Sequence, residues 1–127
     1  MKLLFLHFLL VISYVVSGQE IAGKWYSKDS TRIYHVYKKD DQFEAILEKS
    51  SRKTDKEGTI ILRHVTNNHK EGEFEGAIYA ADGMATLAKI RFEKDGQVLR
   101  LRLRRMFFMN VTIKWYRVVE KRAAQVL

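Results

Sequence analysis

The sequence predicts an all-β fold: a single antiparallel up-and-down barrel of about eight strands, following an N-terminal signal peptide. Three observations predict it. Runs of alternating apolar and polar residues recur at near-regular spacing from Ile21 to Val119. Turn-forming residues separate these runs, Asp-Gly pairs among them. Gly23-Lys24-Trp25 stands at the start of the series and Trp115-Tyr116-Arg117 at its end, so an indole and a guanidinium sit on the two strands that must meet for a barrel to close.

The leader is set aside first. Lys2 is a minimal positive start, Leu3 to Val16 is almost wholly apolar, and Val16-Ser17-Gly18 supplies small or tolerated residues for cleavage. The apolar run is short for a membrane span. Residues 1–18 therefore read as a signal peptide, 19–119 as a β-barrel domain and 120–127 as a tail rich in helix formers. The expected location is outside the cytoplasm, periplasmic or extracellular.

Eight segments carry strand periodicity: Ile21–Ser27, Thr31–Lys38, Gln42–Lys49, Thr59–Thr66, Glu73–Ala80, Ala85–Glu93, Gln97–Arg104 and Val111–Val119. Asp29-Ser30 follows the first and Lys39-Asp40-Asp41 the second. Asp82-Gly83 and Asp95-Gly96 mark two hairpins, where both central residues of a type I′ turn need positive φ. Ser50–Gly58 is polar and aperiodic, a surface loop. Glu44–Arg52 reads as strand or, alternatively, as helix, because Phe43, Ile46, Leu47 and Ser50 also share a helical face. A two-sheet sandwich is the alternative architecture if the long loop crosses between sheets.

Period two assigns the inward faces. Leu99, Leu101 and Leu103 oppose Arg100, Arg102 and Arg104; Ala88, Ile90 and Phe92 oppose Lys89, Arg91 and Glu93. Phe74, Gly76 and Ile78 point inward on the fifth segment, Phe43, Ala45 and Leu47 on the third, and Tyr34 and Val36 on the second. Closing the sheet covers this apolar face and removes exposed strand edges.

Gly23-Lys24-Trp25, the run Phe74-Glu75-Gly76-Ala77-Ile78-Tyr79 into Asp82-Gly83, Leu99-Arg100-Leu101-Arg102 and the closing Trp115-Tyr116-Arg117 resemble, in order and spacing, the bacterial family known as domain of unknown function 2147. The likeness covers nearly the whole mature chain. It departs at Ala80-Ala81, where that family has Asp-Pro, and at Ala45 and Leu103, where it has glycine. The resemblance implies export from a bacterial cell, a lipocalin-like (calycin) barrel and no established activity. It also implies barrel closure by Gly23, Trp25, Trp115 and Arg117, with the Trp25 indole plugging one end and Arg117 lying across it.

Composition narrows the function. The net charge is +8, of which only Lys2 belongs to the leader. A basic exported chain is drawn to anionic surfaces. There is no cysteine, which excludes disulfides, a lipidated cysteine and thiolate zinc sites. His35, His64 and His69 lack ligand spacing. No nucleophile elbow or phosphate-binding glycine loop occurs. The expectation is a non-catalytic protein without metal or cofactor.

Two partner classes remain. One is an apolar or amphipathic small molecule inside the barrel, against Tyr34, Val36, Phe43, Leu47, Phe74, Ile78, Ile90 and Leu101, with Leu99 and Ile113 beside them. The alternative is an anionic lipid or polysaccharide on a basic outer face made by Arg91, Arg100, Arg102, Arg104 and Arg105, with Lys89 and Lys114 alongside. The apolar tip Met106–Met109 behind Arg104-Arg105 would suit a membrane interface or a lid. Nucleic acid is not expected, because aromatic residues are sparse on that face.

Overall fold

The eight segments become eight strands. The computed structural model describes residues 20–68, 72–80, 83–104 and 110–118. The segment read as a signal peptide, the 120–127 tail, His69, Asp82, Arg105 and the Met106–Met109 tip lie outside the described residues. The strands are β1 (Gly23–Ser27), β2 (Arg32–Lys39), β3 (Gln42–Ser50), β4 (Ile60–Asn67), β5 (Glu73–Tyr79), β6 (Ala85–Glu93), β7 (Val98–Arg104) and β8 (Asn110–Arg117). Each pairs antiparallel with its neighbours, and β1 meets β8, so the sheet is a closed barrel in simple sequence order. The helical alternative for Glu44–Arg52 gives way to β3, and the two-sheet sandwich does not form.

Alternation holds on β6 and β7. Ala88 and Ile90 are buried against Leu101 and Leu103, while Lys89, Arg91, Arg102 and Arg104 are exposed. On β4 it breaks. His64 has φ 58° and the β4–β5 register shifts there, so Leu62 and Val65, three residues apart, both reach the core. Gly76 on β5 makes the room. A Cβ at that position would meet Val65 Cγ2 at 2.7 Å and the Arg63 carbonyl oxygen at 3.1 Å.

The β6–β7 turn also differs from the two-residue Asp95-Gly96 expectation. Lys94, Asp95 and Gly96 all have positive φ, and Gly96 N–H donates to the Glu93 carbonyl. The left-handed pair is thus Lys94-Asp95, and Gly96 is a third such residue, its carbonyl directed to Arg117, whose Nε donates to it at 3.0 Å. The closing strand therefore shapes the turn.

Glu44 faces outward, as alternation requires, yet only 8% of it is exposed. Tyr37 donates its hydroxyl hydrogen bond to Glu44, and Arg63 and Lys39 approach at 3.7 and 4.0 Å. That bond stabilises the neutral Tyr37 hydroxyl and raises its pKa, with some help from burial and from the carboxylate charge.

Candidate functional site

The two barrel ends are built differently. At one end, where the chain enters at β1 and turns between β2–β3, β4–β5 and β6–β7, aromatic rings touch in sequence. Phe43 meets Phe74 at 6.2 Å, Phe74 meets Phe92 at 6.0 Å and Phe92 meets Trp25 at 6.4 Å, ring centre to ring centre. Trp25 is fully buried, and its Nε1 donates to the Ile21 carbonyl at 3.0 Å. The Arg117 guanidinium carbon lies 4.3 Å from the Trp25 ring centre, a cation–π contact worth about 0.5–2 kcal/mol. Arg117 Nη2 also donates to the Glu20 carbonyl. Burial lowers the Arg117 pKa, and the nearby Glu20 charge opposes that shift. Gly23, with φ +136°, passes Arg117 Nη1 closely, a conformation that L side chains rarely adopt.

The other end is open. β1 has only five residues and pairs with β8 solely through Trp25–Arg117, Tyr26–Tyr116 and Ser27–Trp115. β8 continues beyond Ser27 through Asn110–Lys114 without a β1 partner. A cavity of about 620 Å³ lies here, lined by Ser27, Lys28, Asp29, Arg32, Tyr34, Ile61, Ile78, Thr112, Ile113, Lys114 and Trp115. A second lobe of about 400 Å³ shares Arg32, Tyr34 and Ile61 and extends past Leu47, Ile60 and Tyr79 under the β3–β4 loop.

Tyr34 and Trp115 form the deep wall, their rings stacked 4.2 Å apart at 14°. Both are buried. Burial raises the Tyr34 pKa, and the Arg32 charge and hydrogen bond oppose that shift. Ile61, Ile78 and Ile113 are half-buried, so each offers apolar surface to a guest.

The rim is polar and stitched. Arg32 donates from Nε and Nη2 to Asp55 at 2.6 and 3.0 Å, and Ser50 Oγ donates to Asp55 at 2.7 Å. Those bonds hold the Asp55 pKa down to about 2, and the same pairing raises that of Arg32. Asp29 accepts from Ser27 Oγ, Thr31 Oγ1 and Arg52 Nη2, each at 2.7 Å, and is held well below the carboxylate range, Ser27 contributing most. Ser51 N–H donates to the Thr31 carbonyl. The β3–β4 loop is thus fastened to the β1–β2 turn. Both rim aspartates are engaged by arginines, whereas Lys28 and Lys56 have no acidic partner among the described residues.

Of the interior positions singled out from sequence, Tyr34, Leu47 and Ile78 line the cavity, and Ile113 joins them. Val36, Phe43, Phe74, Ile90 and Leu101 pack below it, in the core. Trp25, Arg117 and Gly23 meet at the closed end, and Trp115 stands one pleat higher, against Tyr34. Arg32 and Ile61 were not foreseen. Arg32 shares the parity of Tyr34, which was the available signal. Ile61 lies in the run Ile60-Ile61-Leu62, where period two gives no face. Arg91, Arg100, Arg102 and Arg104 share the outer face of β6 and β7; Arg105 lies outside the described residues. Among the described residues no group of three or more His, Asp or Glu side chains is placed to hold a metal.

Neither a protein-family model nor a curated protein matches the chain. Among solved structures, a Helicobacter pylori protein described as belonging to the lipocalin family superposes with a TM-score of 0.68 at 13% identity, over 86% of this chain and 90% of that one. At that identity the likeness establishes a fold: this chain folds as a lipocalin-like eight-stranded barrel, closed by an indole at one end and open at the other.

Proposed function

We propose that the protein binds an amphipathic small molecule, non-catalytically, in the open half of the barrel. The observation that carries this reading is the cavity of about 620 Å³ with the Tyr34–Trp115 stack as its wall and Ile61, Ile78 and Ile113 around it. Ligand sites are of this size and mix an apolar lining with few polar groups. A flat apolar body lies against the stacked rings. A polar, acidic end reaches the rim, where Lys28 and Lys56 are the cations not engaged by a carboxylate.

The same reading makes residues 1–18 a cleaved leader and places the protein outside the cytoplasm, periplasmic or secreted. It also keeps kinship with the bacterial domain of unknown function 2147 as a proposal, supported by the order of the four motifs.

The test uses 1-anilinonaphthalene-8-sulfonate, an amphipathic acid whose fluorescence rises in apolar surroundings. The expected result is saturable binding with energy transfer from Trp115, halved or worse in Trp115→Phe and abolished in Ile78→Trp, which fills the cavity. Equal binding by wild type and Ile78→Trp, with both folded by circular dichroism, sinks the proposal.

A further inference from the structure

The outer wall of β6, β7 and β8 has a charge pattern that the cavity does not explain. Register sets Lys89 directly opposite Arg102 and Arg91 directly opposite Arg100, with Lys114 beyond Arg100. Like charges facing each other across strands are destabilising. In the row nearer the closed end the repulsion is relieved. Arg91 pairs with Glu73 at 2.7 Å, and Glu93 takes both Arg100 and Lys114, at 3.3 and 3.2 Å. In the next row it is not. Lys89 and Arg102, and Arg104 beyond them, have no acidic side chain at ion-pair distance among the described residues.

Between the two rows lies a groove of about 310 Å³, lined by Lys89, Arg91, Arg100, Arg102, Glu73 and Asn68, with Phe74 and Ile90 at its floor. Arg100, Arg102 and Arg104 follow one another along β7 at every second residue, hence about 7 Å apart. On the β5 side the stripe is fenced by Glu73 and Glu75, the latter opposite Lys89. The basic zone is therefore long and narrow. A flat anionic bilayer would meet the whole fence, whereas a single thread of anions laid along β7 passes only Glu73, whose charge Arg91 already engages. The one aromatic residue lining the groove, Phe74, is buried with its ring packed edge-on to Phe43 and Phe92, so it offers no free face on which a base could stack. Asn68 in the groove and Thr112, opposite Arg102, add neutral hydrogen-bonding groups suited to sugar hydroxyls.

We infer that this stripe binds a linear polysaccharide carrying sulfate or phosphate esters, threaded along β7 with an ester group between Lys89 and Arg102. Arginine meets such oxyanions with paired N–H donors. The site is on the outside of the barrel; it borders the cavity at Thr112 and Lys114, but Lys89, Arg102 and Arg104 do not line the cavity.

The experiment measures binding to immobilised heparin, a sulfated chain, at 150 mM sodium chloride. The unmodified protein is expected to bind, and Lys89→Gln with Arg102→Gln to weaken binding by at least about tenfold. Arg102→Lys keeps most of the affinity. Lys38→Gln with Lys49→Gln removes the same charge from exposed positions elsewhere and is expected to change affinity less than about twofold. Unchanged melting and unchanged anilinonaphthalene binding show that the first pair leaves fold and cavity intact. Equal weakening by both pairs overturns the inference, since net charge alone would then suffice. No heparin binding by the unmodified protein overturns it too. So does a loss confined to phosphatidylglycerol vesicles with heparin binding retained, which would make the stripe a membrane contact.

Discussion

The closed end and the open end of this barrel draw on the same residue types to opposite purposes. Both contain a buried tryptophan, a neighbouring aromatic ring and an arginine. At the closed end Trp25 is surrounded, its N–H is satisfied by Ile21, and Arg117 lies across its face and donates to two carbonyls. At the open end Trp115 is covered on one face by Tyr34 and borders a cavity, and Arg32 turns to a loop carboxylate. The difference is one of partners. An arginine bonded to backbone carbonyls fixes the strands that carry them, and an arginine bonded to a loop aspartate fixes a rim. The rings are enclosed at the one end, and space is left beside them at the other.

The largest expected effect tests that contrast directly. Trp25→Ala removes a fully enclosed ring and is expected to cost about 3–5 kcal/mol in urea unfolding. Tyr34→Ala at the open end widens a space that already exists and is expected to cost clearly less, while weakening anilinonaphthalene binding. Equal losses in the two variants would break the comparison. Next comes Gly76→Ala. Its new methyl group would meet Val65 and the Arg63 carbonyl, so overpacking of about 1–3 kcal/mol is expected, measured the same way. A variant as stable as wild type would show that the β4 bulge yields. Third, Arg117→Gln keeps a hydrogen-bonding group and loses the charge over the indole, for an expected loss of about 1–2 kcal/mol. Because the cavity lies at the other end, its ligand affinity should stay the same.

These effects follow how legible each end was in the sequence. The closed end was readable because its parts are short-range or symmetric. Gly23-Lys24-Trp25 and Arg117 needed only the meeting of first and last strands to come together. Alternation on β6 and β7 then assigned Ile90, Leu99 and Leu101 to the core without further information. The open end was only partly readable. Tyr34 and Ile78 follow from parity, but whether an inward side chain packs or lines a void depends on strand lengths and loops. Phe43 and Phe74 look like lining residues in a pattern and are packed in three dimensions, because both sit on the half that the aromatic chain fills. Ile61 is hidden by a β3–β4 register shift that leaves it between the partners of Ala45 and Ile46, which no two-residue period anticipates. The pairing of Arg32 with Asp55 joins residues 23 apart through a loop without periodicity, and only the coordinates bring them together. The basic stripe was legible as a row of arginines. The fence of Glu73 and Glu75 that narrows it depends on β5–β6 register.

The smallest expected effect concerns the rim, and its sign follows from the direction in which Asp55 is shifted. Its carboxyl is held down to about 2, chiefly by the Arg32 hydrogen bond and then by Ser50. An unfolded aspartate titrates near 3.9. The folded state therefore holds the proton less tightly, so the rim's contribution is complete above pH 4 and diminishes as the pH falls towards 2. At neutral pH, the barrel itself gains little from a partly exposed pair of this kind. What changes on acidification is the fastening of the β3–β4 loop to β2. Amide chemical shifts of Ser51 and Arg52, followed from pH 6 downwards, are expected to hold steady to about pH 3 and to move with a midpoint near 2. In Asp55→Asn they should already lie displaced at pH 6, with barrel amides unchanged. A midpoint near 4 would mean that Asp55 titrates as a free carboxylate. The open end would then be tied only through Arg52 to Asp29 and Ser51 to Thr31, and the contrast with the closed end would be sharper than the full set of rim hydrogen bonds implies.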